Sequence, residues 1–339
     1  MVIGDEPHDE GAPTSAAGVS NNATIDHQYY PHIIDGIWQS IDCFGALTTR
    51  MVSRDWNLRA HRVLLRHVAA TQIGDGVKMT PVDRTQPQQP VPHSYGVFFV
   101  PARTGESGPA EAPPTIPLLD AIRVIDIATP VSEEHAFLCY SLLQQLHQRG
   151  KLETVRLWLQ EGCDLVTYGK TQVLHARWDN YPSVEMHGAE HVVLNLVSAS
   201  SEYSPVFTVM GPDLDLWHDI KLLPSIHTLK SVTIILKHEF QEDIGNRPYF
   251  DADEDLPWYA NYLCDSLQTV WLQFPTRLVG LEDVFKHEPH RIALREHMIR
   301  YLEETETCEI VRHNLHIITR QEYEAVVGSE AYRLHTQIP

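Results

Sequence analysis

The chain has 339 residues, of which 43% are hydrophobic and 21% charged, a composition that supplies the apolar core of a globular protein. Its formal net charge of −19 argues against nucleic acid or an anionic membrane as partner, because both bind clustered Lys and Arg. No run reaches the roughly 18 apolar residues of a transmembrane helix. The five scattered cysteines form no CxxC pair and predict reduced thiols in an intracellular protein, cytoplasmic or nuclear.

Residues 1–26 contain mainly Gly, Pro, Ser, Asn and acidic side chains, with almost no large apolar residue. Such a segment cannot bury enough surface to offset the entropy lost on ordering, so it is predicted to be a disordered tail. Its start also lacks the charged-then-apolar pattern of a secretory signal peptide.

Residues 27–70 carry the pattern of three short helices. Pro31 suits a first helical turn, because the N–H that proline lacks has no intrahelical partner there. Asp42 is predicted to cap a second helix, and Ser53 a third helix that continues through Val68. In the first helix, steps of three and four place one set of apolar side chains on a single face: Ile33, Ile34, Ile37, Trp38 and Ile41.

Residues 71–117 form a Pro-rich connecting segment, in which the pieces QPQQPVP and SGPAEAPPTIP interrupt regular structure. We predict loops around one strand, YGVFFV, at residues 95–100. The three-helix segment before it contains five Arg and three Asp, a net charge of +2, and differs in this respect from the acidic remainder of the chain.

Residues 118–339 have the pattern of an α/β domain with mainly parallel strands, which makes the chain α+β overall. Continuous β-branched runs are typical of strands buried on both faces, and helical patterns lie between several of them. The last four strands start roughly 40 residues apart, which fits either an irregular leucine-rich-type solenoid or an open doubly wound sheet. The predicted strands are residues 122–128, 191–197, 231–237, 277–281 and 315–319, and the predicted helices are 132–150, 259–274 and 289–304.

No motif predicts catalysis or a cofactor, since the chain lacks a Gly-rich phosphate loop and a GxSxG nucleophile elbow. The motif EMHGAEH, with His187, Glu190 and His191, is the closest approach to a zinc ligand set, but no distant third ligand is identifiable. The acidic run DADED, at 251–255, lacks the Gly and Glu of a calcium loop and is predicted to be a solvated loop. We therefore expect no enzyme activity, cofactor or metal.

The stretch YPHIIDGIWQSIDCFGALTTRMVSRDW, residues 30–56, resembles the F-box, a three-helix module. Pro31 stands at the proline of the family pattern, and VSRDW places Val52, Ser53, Arg54 and Trp56 at its closing Val-Ser-Arg-x-Trp positions. The order of the later elements is similar to that of fungal F-box-like proteins of uncertain substrate.

The resemblance implies docking on a Skp-type adaptor protein, and through it on a cullin of a ubiquitin ligase. The C-terminal domain would then present an unknown protein substrate. Exposed Pro31, Ile34, Leu47 and Val52 are expected in the isolated chain. The residues implied to bind the partner are Pro31, Ile33, Ile34, Ile37, Ile41, Leu47, Val52 and Trp56.

Two other functions stay open at this point. The chain is an orphan scaffold if its helices only pack against the α/β domain and no longer bind the adaptor. It is an α/β hydrolase-type enzyme if polar side chains converge in a pocket at the carboxyl ends of the strands.

Overall fold

The computed structural model describes residues 30–73, 76–83, 97–99, 119–127, 133–158, 164–177, 183–198, 220–221, 227–238, 250–271, 273–304 and 314–337. The chain divides into two compact units, Met1–Ile41 and Asp42–Pro339. The tail predicted at residues 1–26 and the predicted cap Ser132 lie outside the described residues.

The first unit contains helix α1, Pro31–Ser40. Its two sides differ in exposure: Ile34 and Trp38, four residues apart, are buried, while Ile33 and Ile37 are exposed. The apolar face predicted for this helix is thus divided into a buried and an exposed part, because neighbouring positions on a helix diverge by about 100°.

The second unit begins with helices α2 (Cys43–Thr49) and α3 (Arg54–Leu64). Asp42 and Ser53 cap them as predicted, since each side chain accepts a hydrogen bond from the backbone N–H three residues later, at 2.6 and 3.2 Å. The prediction that the third helix continues through Val68 is wrong. Val68 lies in a strand, where pairing with two neighbouring strands overrides its helical spacing.

The described strands form one ten-stranded sheet and one three-stranded sheet. In chain order they are β1 (His67–Ile73), β2 (Gly76–Pro81), β3 (Val97–Phe99), β4 (Val124–Ile127), β5 (Thr154–Trp158), β6 (Asp164–Tyr168), β7 (Thr171–Arg177), β8 (Ser183–His187), β9 (His191–Ser198), β10 (Ile220–Lys221), β11 (Ser231–His238), β12 (Thr276–Val279) and β13 (Leu315–Ile318).

The strand order in the large sheet is β3-β2-β1-β4-β5-β7-β9-β11-β12-β13, and it follows the chain in one direction from β1 to β13. All neighbours from β1 to β13 are parallel, while β2 and β3 are added on the other side of β1 as antiparallel strands at one edge. The parallel strands of a doubly wound sheet progress first in one direction and then in the other, and the parallel strands from β1 to β13 do not. Strands β6, β8 and β10 form the small parallel sheet and alternate along the chain with β7, β9 and β11 of the large one.

Each of the six predicted strand segments contains an observed strand. The segment 277–281 was predicted too long, because its strand ends at Val279 and a helix begins at Leu281. The hairpin of β1 and β2 and the strands β5 to β8 were not predicted. These strands are short or contain polar residues, so their local pattern is weak and pairing decides their conformation.

The remaining helices lie between and after the strands. The run predicted as an acidic loop instead begins a helix, with the Asp251 carboxylate accepting a hydrogen bond from the Asp253 N–H at 3.0 Å. Acidic residues in a first turn interact favourably with the helix dipole. These helices are α4 (Glu133–Gln148), α5 (Ala252–Trp271), α6 (Leu281–Val284), α7 (Glu288–Glu304), α8 (Arg320–Val327) and α9 (Ser329–Thr336).

Alternate residues of the large sheet belong to two separate apolar cores. The main core joins strand residues such as Leu174 and Leu194 to buried side chains of α4, α5 and α7. A smaller core on the opposite face surrounds Tyr323 of α8 and contains Val173, Val193, Ile235 and Val279. The C-terminal helix α8 therefore covers this second face.

Gly280 joins β12 to α6 in a left-handed conformation, with φ of 92°, and a Cβ there would lie 2.4 Å from the Leu236 carbonyl oxygen. We expect Gly280→Ala to lower the free energy of unfolding by about 3 kcal/mol, from backbone strain plus the clash. The control Gly150→Ala, at φ of 69° with nothing within 4 Å, should lose only about 1 kcal/mol. Equal losses in urea unfolding would contradict this account.

Candidate functional site

Helix α1 presents part of the set of residues implied to bind a partner. Pro31, Ile33 and Ile37 are exposed, and Ile41 is half-buried. Ile34 is only 4% exposed, so the expectation that it is free for docking in the isolated chain is wrong. Its position on the same side of α1 as the buried Trp38 explains this burial.

The segment from α2 to α3 exposes large apolar side chains, of which Met51 and Leu58 were not expected from the sequence. Of the residues expected there, Val52 is exposed, while Leu47 and Trp56 are half-buried. The completely buried residues of the two helices are Ala46, Ala60 and Leu64, while several larger apolar side chains stay on the surface. The exposed ones are Phe44 (45%), Met51 (80%), Val52 (66%) and Leu58 (49%).

A second feature is a row of buried charged groups on the large sheet. Asp126 of β4 lies directly opposite Arg156 of β5, and the Arg156 Nη1 donates to both carboxylate oxygens, at 3.0 and 3.2 Å. The His67 Nε2 of β1 lies 3.0 Å from the same carboxylate. All three side chains are almost completely buried. Such a pair requires well-formed hydrogen bonds, because removing two charges from water is costly.

A second row lies two residues farther along the strands and contains Trp158, His175 and Asn195. The His175 ring stacks on Trp158, with centroids 6.1 Å apart, and is completely buried. Neither of its nitrogens has a hydrogen-bond partner within the part of the chain that the structure describes. Burial, reinforced by nearby Lys237 and Arg156, lowers the pKa of His175 from 6.5 to about 2, so the ring is neutral.

The C-terminal end of α9 lies over these rows. Three side chains from three strands donate hydrogen bonds to three consecutive backbone carbonyls, those of residues 335–337. Asn195 contributes a 2.6 Å bond, and Lys237 and Arg156 contribute the other two. Carbonyls at a helix C-terminus lack intrahelical partners and carry partial negative charge, which suits cationic donors.

Tyr323 connects the two C-terminal helices. Its hydroxyl lies 2.7 Å from the His335 Nδ1, and its ring is buried against the sheet. Burial raises the pKa of Tyr323 to about 12, and burial also lowers the pKa of His335 to about 4. Both groups are therefore uncharged at neutral pH.

The described side chains that donate to the carbonyls at 335–337 include two cations, Arg156 and Lys237. Burial lowers the pKa of Lys237 to about 8, and Arg320 and Arg156 lower it further against the opposing effect of Asp283. The side chains that reach the carbonyls at 335–337 are donors. This arrangement, which we call the donor face and define by Arg156, His175, Asn195 and Lys237, suits carbonyl and carboxylate oxygens.

The side chains of EMHGAEH do not converge on one point. They take separate partners at 2.6 to 2.9 Å, the pairs being His187–Glu185, Glu190–Lys230 and His191–Ser231. Within the described ranges, His, Cys, Asp and Glu side chains do not gather in groups of three or more that would hold a metal ion. Across those same ranges, no helix is both long and apolar enough to cross a membrane.

Comparison with known proteins gave no relative. No family model matches the chain. No curated protein and no solved structure matches it either.

The buried pair Asp126–Arg156 gives a prediction about stability. Asp126→Asn removes the charge that compensates the buried guanidinium, and we expect a loss of about 3 kcal/mol in the free energy of unfolding. The control Asp120→Asn breaks a half-exposed ion pair with Arg149 of 2.9 Å and should lose less than about 1 kcal/mol. If urea unfolding gives equal losses, the buried pair is not a structural requirement.

His175 and His335 give a prediction about pH. Both pKa values lie below 6.5 in the folded chain, so between pH 6 and 4.5 the unfolded chain binds protons that the folded chain does not. Stability should therefore fall as pH falls, by roughly 1.4 kcal/mol per pH unit for each histidine. His175→Leu should reduce this slope by about 1.4 kcal/mol per pH unit, because residue 175 then binds no proton in the unfolded chain. The measurement is the free energy of unfolding in urea at pH 6 and at pH 5. If the wild type and His175→Leu lose the same free energy between these two pH values, the assignment of a lowered pKa to His175 is wrong.

Proposed function

We propose that the chain is the substrate-recognition subunit of a Skp-cullin-F-box type ubiquitin ligase, acting in the cytoplasm or nucleus. Its N-terminal helices dock on the Skp-type adaptor, and its C-terminal domain presents a protein substrate. The observation that carries the proposal is the group of exposed apolar side chains on α2, α3 and the turn between them. We call this group the α2–α3 patch: Phe44, Met51, Val52 and Leu58.

Exposed large apolar side chains concentrated in a short segment are typical of an interaction surface. Single exposed apolar residues are ordinary, but here four occur within residues 44–58. Helix-in-groove recognition uses apolar anchors of this kind. The caps at Asp42 and Ser53 stabilise both helices before binding, so little ordering entropy is lost on docking.

Helix α1 supplies further anchors in this proposal. Pro31, Ile33 and Ile37 are exposed and available to the adaptor. Ile34, which is buried, is assigned a packing role instead. The half-buried Ile41 is assigned to the anchors of α1, and the half-buried Leu47 and Trp56 are assigned to the margin of the apolar group on α2 and α3.

The C-terminal domain suits presentation of a substrate. Its parallel strands follow one another in a single direction, which supports an irregular leucine-rich-type solenoid rather than a doubly wound sheet. Solenoids offer extended surfaces on which neighbouring repeats contribute side chains to one ligand.

Docking predicts a specific pattern of variant affinities. Val52→Asp places a charge in the α2–α3 patch and should weaken binding of a purified Skp-type adaptor by at least about 30-fold, because a desolvated carboxylate opposes the interface. The matched control is Val326→Asp on α8, since Val326 is 62% exposed and Val52 66%. It should bind as the wild type does in isothermal titration calorimetry.

Two results would contradict the proposal. One is a wild-type chain that fails to bind the adaptor at micromolar concentration. The other is equal affinity of Val52→Asp and Val326→Asp. Either result would favour the orphan scaffold, in which these helices no longer dock.

A further inference from the structure

Helix α9 is attached by the polar contacts at 335–337 and by Tyr332, which is partly buried against the small apolar core, with its ring centroid 6.1 Å from that of Tyr323. None of its eight residues is buried, whereas α8 buries Tyr323 in the small apolar core. Gly328 joins the two helices with φ of 85° and ψ of 153°, a conformation that is essentially restricted to glycine. Nothing lies within 4 Å of the position of a Cβ at Gly328, so this joint is unobstructed. Because α8 buries Tyr323 while α9 is held only by partly buried side chains and by the contacts at 335–337, α9 is the more weakly attached of the two helices.

The contacts that hold α9 can be replaced by equivalent contacts to another chain. Asn195, Lys237 and Arg156 bind only backbone carbonyls of α9 and its following residue, at 335–337. A hydrogen bond of this kind stabilises little on balance when a competing acceptor is present. Any segment with oxygen atoms in similar positions can compete for the same donors.

We propose that the donor face binds an acidic peptide segment, and that the C-terminal turn at 335–337 occupies this site in the closed chain. An acidic peptide segment would be the class of substrate that the adaptor proposed above presents, and in this respect the inference rests on the proposed function. The site itself requires only this chain.

The spacing of the donors favours a peptide over a small ion. Arg156 lies on β5, Asn195 on β9 and Lys237 on β11, with β7 between the first two. The donor groups nevertheless converge on the carbonyls of three consecutive residues, 335–337, which span at most about 7 Å. This distance is too long for one phosphate or carboxylate group, and an extended peptide covers it with about three residues.

The polarity of the donor face favours acidic side chains. Two of its donors, Arg156 and Lys237, are cations, and Arg320 adds a third positive charge near Lys237, against two carboxylates, Asp126 and Asp283. Buried polar atoms also remain without hydrogen-bond partners among the described residues: both nitrogens of His175, the Nε of Arg156 and the Oδ1 of Asn195. A carboxylate would accept from the Arg156 Nε–H and from the one protonated nitrogen of the neutral His175 ring, and peptide N–H groups would donate to the other His175 nitrogen and to the Asn195 Oδ1.

The net charge of the chain adds to the preference of the donor face for acidic peptides over the rest of the surface. The net charge of −19 repels an acidic peptide from most of the surface. A cationic region on such a protein therefore concentrates acidic ligands at one place.

The test uses the full-length chain without any adaptor. The probe is a fluorescein-labelled octapeptide of alternating Glu and Gly, and the matched control peptide alternates Lys and Gly. We expect the acidic peptide to bind in fluorescence anisotropy and the basic one not to bind. At saturation, amide hydrogen exchange should rise in Ser329–Thr336, because α9 has been displaced.

Two variants on opposite sides of the contact should change affinity in opposite directions. Lys237→Gln removes a cation of the donor face and should weaken peptide binding by at least about fivefold. His335→Ala removes the contact of α9 with Tyr323 and should tighten binding by about three- to tenfold, because closure of α9 opposes binding. The control Lys170→Gln, at an exposed lysine outside the donor face, should bind as the wild type does.

Three outcomes would overturn the inference. They are equal affinity of Lys237→Gln and Lys170→Gln, weaker binding by His335→Ala, and peptide binding with no rise in exchange at Ser329–Thr336. His335 is half-buried and lies outside both apolar cores, so its variant keeps the test decisive even if Lys237→Gln unfolds. Failure of adaptor binding alone would leave these results intact, and adaptor binding without peptide binding would overturn only this inference.

Discussion

The hydrogen-bonded register of the parallel strands determines the position of every polar group on the face covered by α8 and α9. The registers of three neighbouring strand pairs place Asp126 opposite Arg156, Trp158 opposite His175, and His175 opposite Asn195. Because side chains alternate between the two faces of a sheet, these registers put the polar groups on one face. A shift of one residue would transfer these groups to the main apolar core. The cost of burying them there makes the register strongly specified.

The buried Arg156 guanidinium explains why the C-terminal turn, residues 335–337, lies on the sheet. A buried guanidinium needs acceptors on all sides, and Asp126 satisfies only part of Arg156. The carbonyls at 335–337 supply further acceptors, and they are groups that the end of a helix leaves without partners. The donors of the sheet and the carbonyls at the end of α9 thus satisfy each other's hydrogen bonds. The nitrogens of His175 nevertheless stay without partners among the described residues.

The two surfaces considered for binding differ in physical character. The α2–α3 patch is apolar and attached to helices with good caps, so its interactions would come from desolvation of preformed structure. The donor face is polar and covered, so ligand binding there requires displacement of α9. One chain can therefore combine a permanently exposed docking surface with a second surface whose access depends on competition.

Local features of the sequence determined which segments form elements and where several of them begin. The β-branched runs at 191–197 and 231–237 became strands, and Asp42 and Ser53 capped their helices, because these signals depend on near neighbours in the chain. Only the tertiary structure decided that Ile34 is buried, that Val68 joins a strand, and that His175 meets Trp158 beneath α9. Those outcomes depend on pairing between residues far apart in sequence, and no local pattern encodes the order or register of that pairing.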